Sequence, residues 1–226
     1  MKLIVGNKNY SSWSLRPWLL LKQLGIPFDE ECLSFNDPEF KTKALRTSDA
    51  GKVPILVCDD GTAVWDSLAI IETIAETFPD RGVWPESASA RAMARSLCAE
   101  MHSGFPALRE HMPMNIANRF PGRGWNDAVE RDVDRILGGW SSARSRFGES
   151  GDFLFGTFSA ADAFFAPVVW RFETHEVELP DFSRRYMSAV QALPAMQLWV
   201  AAALSEKEFV SMDEPYRTHA ETSDPA

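Results

Sequence analysis

Hydrophobic positions along the chain change period several times, and each change marks an element. Leu3, Ile4 and Val5 form a short apolar run that predicts a strand over residues 2–6. After the polar turn Asn7-Lys8-Asn9, the positions Pro17, Leu20, Leu21 and Leu24 recur at helical spacing until Gly25 stops them. Residues 28–34 read as a second strand, and Asp37-Pro38 opens a short helical or irregular piece through Leu45. Two apolar runs then meet across Asp59-Asp60-Gly61, which predicts a hairpin. Asp66-Ser67 follows, and Leu68, Ile70, Ile71, Ile74, Ala75 and Phe78 return to a helical period. The order is βαβαββα, an α/β unit over residues 1–79.

Pro79 to Glu86 breaks every period, so residues 80–86 are expected to link this unit to a second one over 87–212. There the pattern is helical throughout. Met93, Leu97, Met101, Phe105 and Leu108 imply one long helix over 88–111, kinked at Pro106. Val129, Val133, Ile136, Leu137, Trp140 and Phe147 imply another, and Ser159 with Asp162 caps an apolar run that reaches Trp170. Residues 182–193 and 195–204 complete an all-α domain. Residues 213–226 are polar and read as a mobile tail.

Composition narrows the class more than it changes this picture. The chain has 226 residues, 45% of them hydrophobic, enough for a sizeable core. A net charge of -9 and a pI near 5.0 argue against a nucleic-acid or anionic-membrane binder. No apolar run approaches the ~20 residues of a membrane span, and no export signal is visible, so the expected compartment is the cytoplasm. Cys32, Cys58 and Cys98 form no Cys-x-x-Cys pair, and the four histidines are scattered, so the expectation is reduced thiols and no metal.

The chemistry concentrates in two places. A helix opening at Asp66-Ser67 offers free N–H groups and a partial positive charge to a carboxylate, while Asp66 answers an ammonium. With the outward-facing Val53 backbone between them, the stretch suits a zwitterionic, peptide-like ligand, although Asp66 and Ser67 also suit plain capping. Ser11, Ser12 and Ser14 cluster where the first strand gives way to the first helix, a position that stabilises an anion. They too suit capping alone.

Gly51-Lys52-Val53-Pro54-Ile55-Leu56 with Asp66-Ser67 resembles the glutathione-binding half of the glutathione transferase family, whose first domain is thioredoxin-like and whose second is all-helical. Gly156-Thr157-Phe158-Ser159-Ala160-Ala161-Asp162 resembles the helix cap of that second domain. The resemblance implies a cis Val53-Pro54 peptide facing the cysteinyl backbone of glutathione. It implies Asp66 and Ser67 at the γ-glutamyl end and Lys52 near the glycine carboxylate; Lys41 and Lys43, which follow a turn, suit support of that carboxylate but suit plain surface positions better. Asp66 stands where many members have Glu. Ser11-Ser12-Trp13-Ser14-Leu15-Arg16 resembles the Ser-Ser-Cys-x-x-Arg motif of zeta-type members. That register gives the thiol-activating role to Ser11, whereas the count back from the Arg in other serine-type members gives it to Ser12. Tyr10 is a rival activator, placed late for the role tyrosine has in other members.

Trp13 stands in place of the zeta cysteine, and no cysteine lies between Met1 and Glu31, so the nucleophile of cysteine-type members is missing. The implied activity is a detoxifying glutathione S-transferase in which a serine hydroxyl activates the thiol for attack on a hydrophobic electrophile. Met101, His102, Phe105, Met112 and Met114 would then face the sulfur. Alternatives are a glutathione-dependent isomerase of the maleylacetoacetate type or a peroxidase, and a non-catalytic carrier or interaction module on the same fold. Glutathione is the implied co-substrate, and a homodimer the implied assembly.

Overall fold

The computed structural model describes residues 1–217. Strand β1 (Lys2–Gly6) lies at the centre of a four-stranded sheet of order β2-β1-β3-β4. It runs parallel to β2 (Asp29–Leu33), with Lys2 opposite Asp29, and antiparallel to β3 (Ile55–Val57), with Leu3 opposite Leu56. The parallel pair requires a crossover, which helix α1 (Ser12–Gln23) supplies. The hairpin from β3 to β4 (Ala63–Val64) turns where expected. Gly61 takes a φ of +86° there, and Asp60 accepts from the Thr62 N–H.

Helix α2 (Phe40–Leu45) covers one face of the sheet through a small cluster of Ile4, Leu33, Ala44 and Ile55. Helices α1 and α3 (Ser67–Thr77) cover the other, and their buried faces merge with the core of the helical half. The N-terminal half is thus the α/β thioredoxin-like unit expected, and everything after it is helical.

The helical half is built round α7 (Ala160–Thr174), where only Glu173 escapes burial. A helix apolar on nearly every side must sit in the centre. It packs on α1, α4 (Ala88–Ser103) and α8 (Asp181–Gln191). Its start is fixed by Asp162, fully buried, which accepts from the N–H groups of Ser159 (2.9 Å) and Leu154 (3.1 Å). Burial without a cation pushes the Asp162 carboxyl up to about 6. The remaining helices are α5 (Pro106–His111), α6 (Asp127–Phe147) and α9 (Pro194–Ser205). Among the described residues no single helix is long and apolar enough to cross a membrane.

Two expectations need correction. The helix over 88–111 is broken, not kinked: α4 ends at Ser103, Phe105 enters the left-handed region at φ +61°, and Pro106 opens α5. Proline tolerates a first turn far better than a helix interior. The stretch from Asp213, expected to be mobile, is packed as far as Arg217. Glu214 is buried and accepts from Tyr10 Oη at 2.8 Å, and Tyr216 Oη donates to the His111 carbonyl at 2.6 Å. The rest of that expected tail, residues 218–226, lies outside the described residues.

Candidate functional site

The loop between β1 and α1 is held from three sides. Asn7 Oδ1 accepts from the Phe35 N–H, and Asn9 Oδ1 accepts from the Ala117 N–H across the domain boundary. The Glu206 carboxylate accepts from the N–H groups of Lys8 and Asn9. This clamp places Ser11 and Ser12 at the start of α1, both almost wholly buried. Ser11 occupies the cap position, yet its side chain makes no cap bond. Its hydroxyl donates inward to Ser14 Oγ at 2.7 Å, and Ser14 Oγ also accepts from the Gly6 N–H at 3.1 Å. Ser12 Oγ accepts instead from Arg171 Nη2, at 3.3 Å, across the junction of the two halves.

A cavity of about 380 Å³ opens beside these serines, lined among others by Tyr10, Lys52, Arg109, Met114, Arg171 and Asp213. A second, of about 470 Å³, is bounded by Val53, Pro54, Trp65 and Asp66, and the two share Trp13, Lys52 and Val53. The structure therefore brings Ser11, Ser12, Lys52, Val53, Pro54 and Asp66 to the walls of these two adjoining cavities, whereas Ser67 is fully buried and lines neither. The Val53-Pro54 peptide is cis.

Asp66 caps α3, accepting from the Leu68 N–H at 3.1 Å, and its other oxygen meets His102 Nε2 at 3.0 Å. Burial holds His102 below its usual pKa. Asp66 remains about half exposed, so it retains room for a ligand cation. Ser67 is fully buried and accepts from Arg16 Nη1 at 3.3 Å. Lys43 pairs with Asp37.

Two arginines near the cleft, Arg109 and Arg171, were not anticipated, and Arg16 was read only as the last residue of a motif. Arg16 is completely buried, stacked on Trp13 at 4.3 Å and on Phe164 at 4.7 Å, and its Nε and Nη2 have no partner among the described residues. Arg109 lies against Trp13 at 4.9 Å and donates to the carbonyls of Met101 and Gly104. Arg171 is anchored by Nη1 on the Met112 carbonyl at 2.6 Å. Burial, aided by Arg109, pulls Arg171 down to about 9, with Asp213 the opposing influence. The periodicity of α7 hid Arg171, which interrupts an apolar run; a charge inside such a run was the available signal.

Tyr10 lines the cavity, but its hydroxyl donates to Glu214 and to the Glu208 carbonyl, and burial beside Glu214 raises its pKa well above the usual value. It is poorly placed to donate to a sulfur. Of the residues expected to face the sulfur from the helical half, only Met114 lines the first cavity; Met101, Phe105 and Met112 belong to the core. Among the described residues no group of three or more His, Cys, Asp or Glu is positioned to hold a metal.

Residues 10–77 match the family model described as glutathione S-transferase, N-terminal domain, and residues 125–202 match the C-terminal domain model. A probable maleylacetoacetate isomerase from Caenorhabditis elegans is 32% identical over 108 residues, 48% of this chain and 49% of that protein. The match thus spans about half the length of that curated relative. A glutathione transferase homologue from Burkholderia, solved with bound glutathione, aligns with 89% of this chain and 97% of its own at 25% identity and a TM-score of 0.67. A maleyl pyruvate isomerase, a bacterial glutathione S-transferase in the zeta class, aligns with 91% of this chain and 99% of its own at 20% identity and a TM-score of 0.69.

Proposed function

The chain belongs to the glutathione S-transferase family, and from that premise we propose that its cleft binds glutathione and activates the thiol through a serine at the start of α1. The observation that carries this reading is that two neighbouring cavities share Trp13, Lys52 and Val53 in their walls, which sets a serine hydroxyl, the Val53 backbone and Asp66 beside one another. The tripeptide presents the same sequence of groups: thiol, peptide and γ-glutamyl zwitterion. In this reading Asp66 holds the ammonium, while Ser67 and the α3 N-terminus take the neighbouring carboxylate. The Val53 backbone pairs with the cysteinyl amide, and Lys52 answers the glycine carboxylate.

A free thiol has a pKa near ~8.5, so only a few per cent is thiolate at neutral pH. A hydroxyl donor and the α1 dipole lower that value, and the thiolate then attacks an electrophilic carbon. The electrophile enters beside Met114. We take the working assembly to be a cytoplasmic homodimer, as the family resemblance implies, and size-exclusion chromatography with light scattering tests the dimer.

Arg109 and Arg171 favour a second reading of the co-substrate. Two cations in the lining suit a carboxylate on the electrophile, so an acidic enone isomerised through a transient thiol adduct competes with an apolar halide that is conjugated. The relative named a probable maleylacetoacetate isomerase is in line with this. Calorimetric titration with glutathione tests binding: no heat at millimolar ligand overturns the reading. Turnover of a cis-enone acid against an aryl halide then separates isomerase from transferase.

A further inference from the structure

We propose that Ser12 is the hydroxyl that donates to the glutathione thiolate, with Arg171 of the helical domain as its positioning residue and Ser11 as a structural one. This deepens the glutathione reading and rests on it.

The two serines differ in where their protons point. The Ser11 hydroxyl is spent on Ser14 Oγ at 2.7 Å, and that oxygen also takes the Gly6 N–H, so the pair ties the end of β1 to the first turn of α1. The network closes inward. Turning the Ser11 proton toward a ligand would break a buried bond. Ser12 has the opposite arrangement: its oxygen accepts from Arg171 Nη2, and its own O–H has no acceptor among the described residues. A hydroxyl whose lone pair is occupied by a guanidinium becomes a better donor, because hydrogen bonds in series polarise one another. Ser12 also lines the cavity, so its proton has an anion site to address.

Arg171 is well suited to hold that oxygen. Its Nη1 is fixed on the Met112 carbonyl, so the planar fork cannot swing without giving up a 2.6 Å bond. The charged and titratable groups that line the cavity with it are Arg109, Lys52, Tyr10 and Asp213. Tyr10 is engaged with Glu214, and Asp213 opposes two arginines and a lysine, so the cavity carries a surplus of positive charge. A thiolate beside Ser12 supplies the missing anion, and the thiol proton leaves to bulk water on binding. Because Arg171 comes from α7 and Ser12 from α1, the activating pair exists only when the two halves are docked.

The test is the ultraviolet titration of the thiolate in the glutathione complex, after calorimetry has set saturating ligand for each variant. Losing a hydrogen bond to a charged group is expected to raise the bound thiol pKa by about one to two units in Ser12→Ala. Arg171→Gln should raise it in the same direction. The double variant should raise it at least as far as Ser12→Ala alone but by less than the sum of the two single shifts, because the arginine acts in large part through the serine. Ser12→Thr should restore the wild-type value, and Ser11→Ala should leave it within about 0.3 unit while lowering stability. A shift in Ser11→Ala with none in Ser12→Ala overturns the assignment. So does an Arg171→Gln complex that weakens an acidic co-substrate but leaves the thiol pKa unchanged. If Arg171→Gln fails to fold, the Ser12→Ala and Ser12→Thr pair decides with the arginine intact. Absence of any glutathione complex in the wild type would defeat the underlying reading as well, whereas a tight complex whose thiol ignores Ser12 defeats this assignment alone.

Discussion

Replacing Arg16 with methionine should separate stability from ligand affinity, because Arg16 carries a buried charge with little in the protein to answer it. The guanidinium is fully buried, makes no ion pair among the described residues, and leaves Nε and Nη2 unpartnered. Withdrawing such an ion from water costs several kcal/mol even after relaxation. Against this stand stacking on Trp13 and Phe164, about 2 kcal/mol each when desolvated, and one bond to Ser67 Oγ of about 1.5–3 kcal/mol. These terms nearly cancel. Methionine keeps the apolar contact with both rings and removes the charge, so the unliganded Arg16→Met protein should unfold within about 1 kcal/mol of wild type or above it. Binding should behave differently. The Arg16 bond occupies the Ser67 lone pair and leaves the Ser67 proton free for a ligand carboxylate at the α3 N-terminus. Loss of that arrangement, again about 1.5–3 kcal/mol, should weaken glutathione by roughly 10- to 150-fold. Urea unfolding and calorimetry read the two quantities separately. A variant that loses more than about 3 kcal/mol unliganded but binds glutathione within threefold of wild type would refute the reasoning.

Asp66→Asn should keep the bond from the Leu68 N–H and so the helix, yet bind glutathione at least ~10-fold more weakly for want of a charge, whereas Asp66→Ala should lose about 1 kcal/mol of stability too. Equal affinities of wild type and Asp66→Asn in calorimetry would count against an ammonium at this carboxylate. Asp162 gives a pH dependence of unusual sign. Its folded pKa, about 6, lies above the unfolded 3.8, so the native state binds the extra proton and stability falls as pH rises through that window, by about 3 kcal/mol, then levels off. The difference in unfolding free energy between wild type and Asp162→Asn should track that fall between pH 4 and 6; a constant difference would contradict it. Gly124 takes φ +82°, and a Cβ there would sit 1.9 Å from the His111 carbonyl oxygen and 2.7 Å from Tyr216 Oη. Gly124→Ala should therefore cost at least ~2 kcal/mol and free the stretch after Val210, read as faster proteolysis near Tyr216.

The fold was legible where one period ran long enough to exclude the other. The alternation from β1 to α3 gave the order of elements, because each apolar run is bounded by Gly25, Pro38 or Asp60-Gly61, residues that stop a helix or turn a strand. The break at Phe105 was not legible. Met101, Phe105 and Leu108 keep a helical spacing through it, since both α4 and α5 face the same core, and spacing reports the face rather than the continuity of the backbone. The docking of Glu214 and Tyr216 was hidden for a different reason. Their polar neighbours looked like a solvated end, but Glu214 accepts from Tyr10 Oη of the first domain, and Tyr216 Oη donates to the His111 carbonyl of the helical half.

The groups in the cleft divide along the same line. Val53-Pro54 and Asp66-Ser67 are local features, each defined by adjacent residues, and so the chain announces them. Arg109 and Arg171 lie 62 positions apart and meet only because α7 runs through the centre of the helical half, passing the start of α1. Their significance comes from what surrounds them. On the surface of a protein of net charge -9 an arginine would be one more solvated cation, but here two of them, Arg171 buried and Arg109 half-buried, line one cavity with a single carboxylate, Asp213. Charge that is screened in solvent keeps most of its strength in such a place. On the reading proposed above, a cleft of this sign favours anions twice over, first the thiolate and then an acidic group on whatever the thiolate attacks. Neutralising Arg109 should therefore depress turnover of an acidic electrophile far more than that of a neutral one. If both fall equally in steady-state comparison of Arg109→Gln with wild type, the arginine supports the wall and does not choose the substrate.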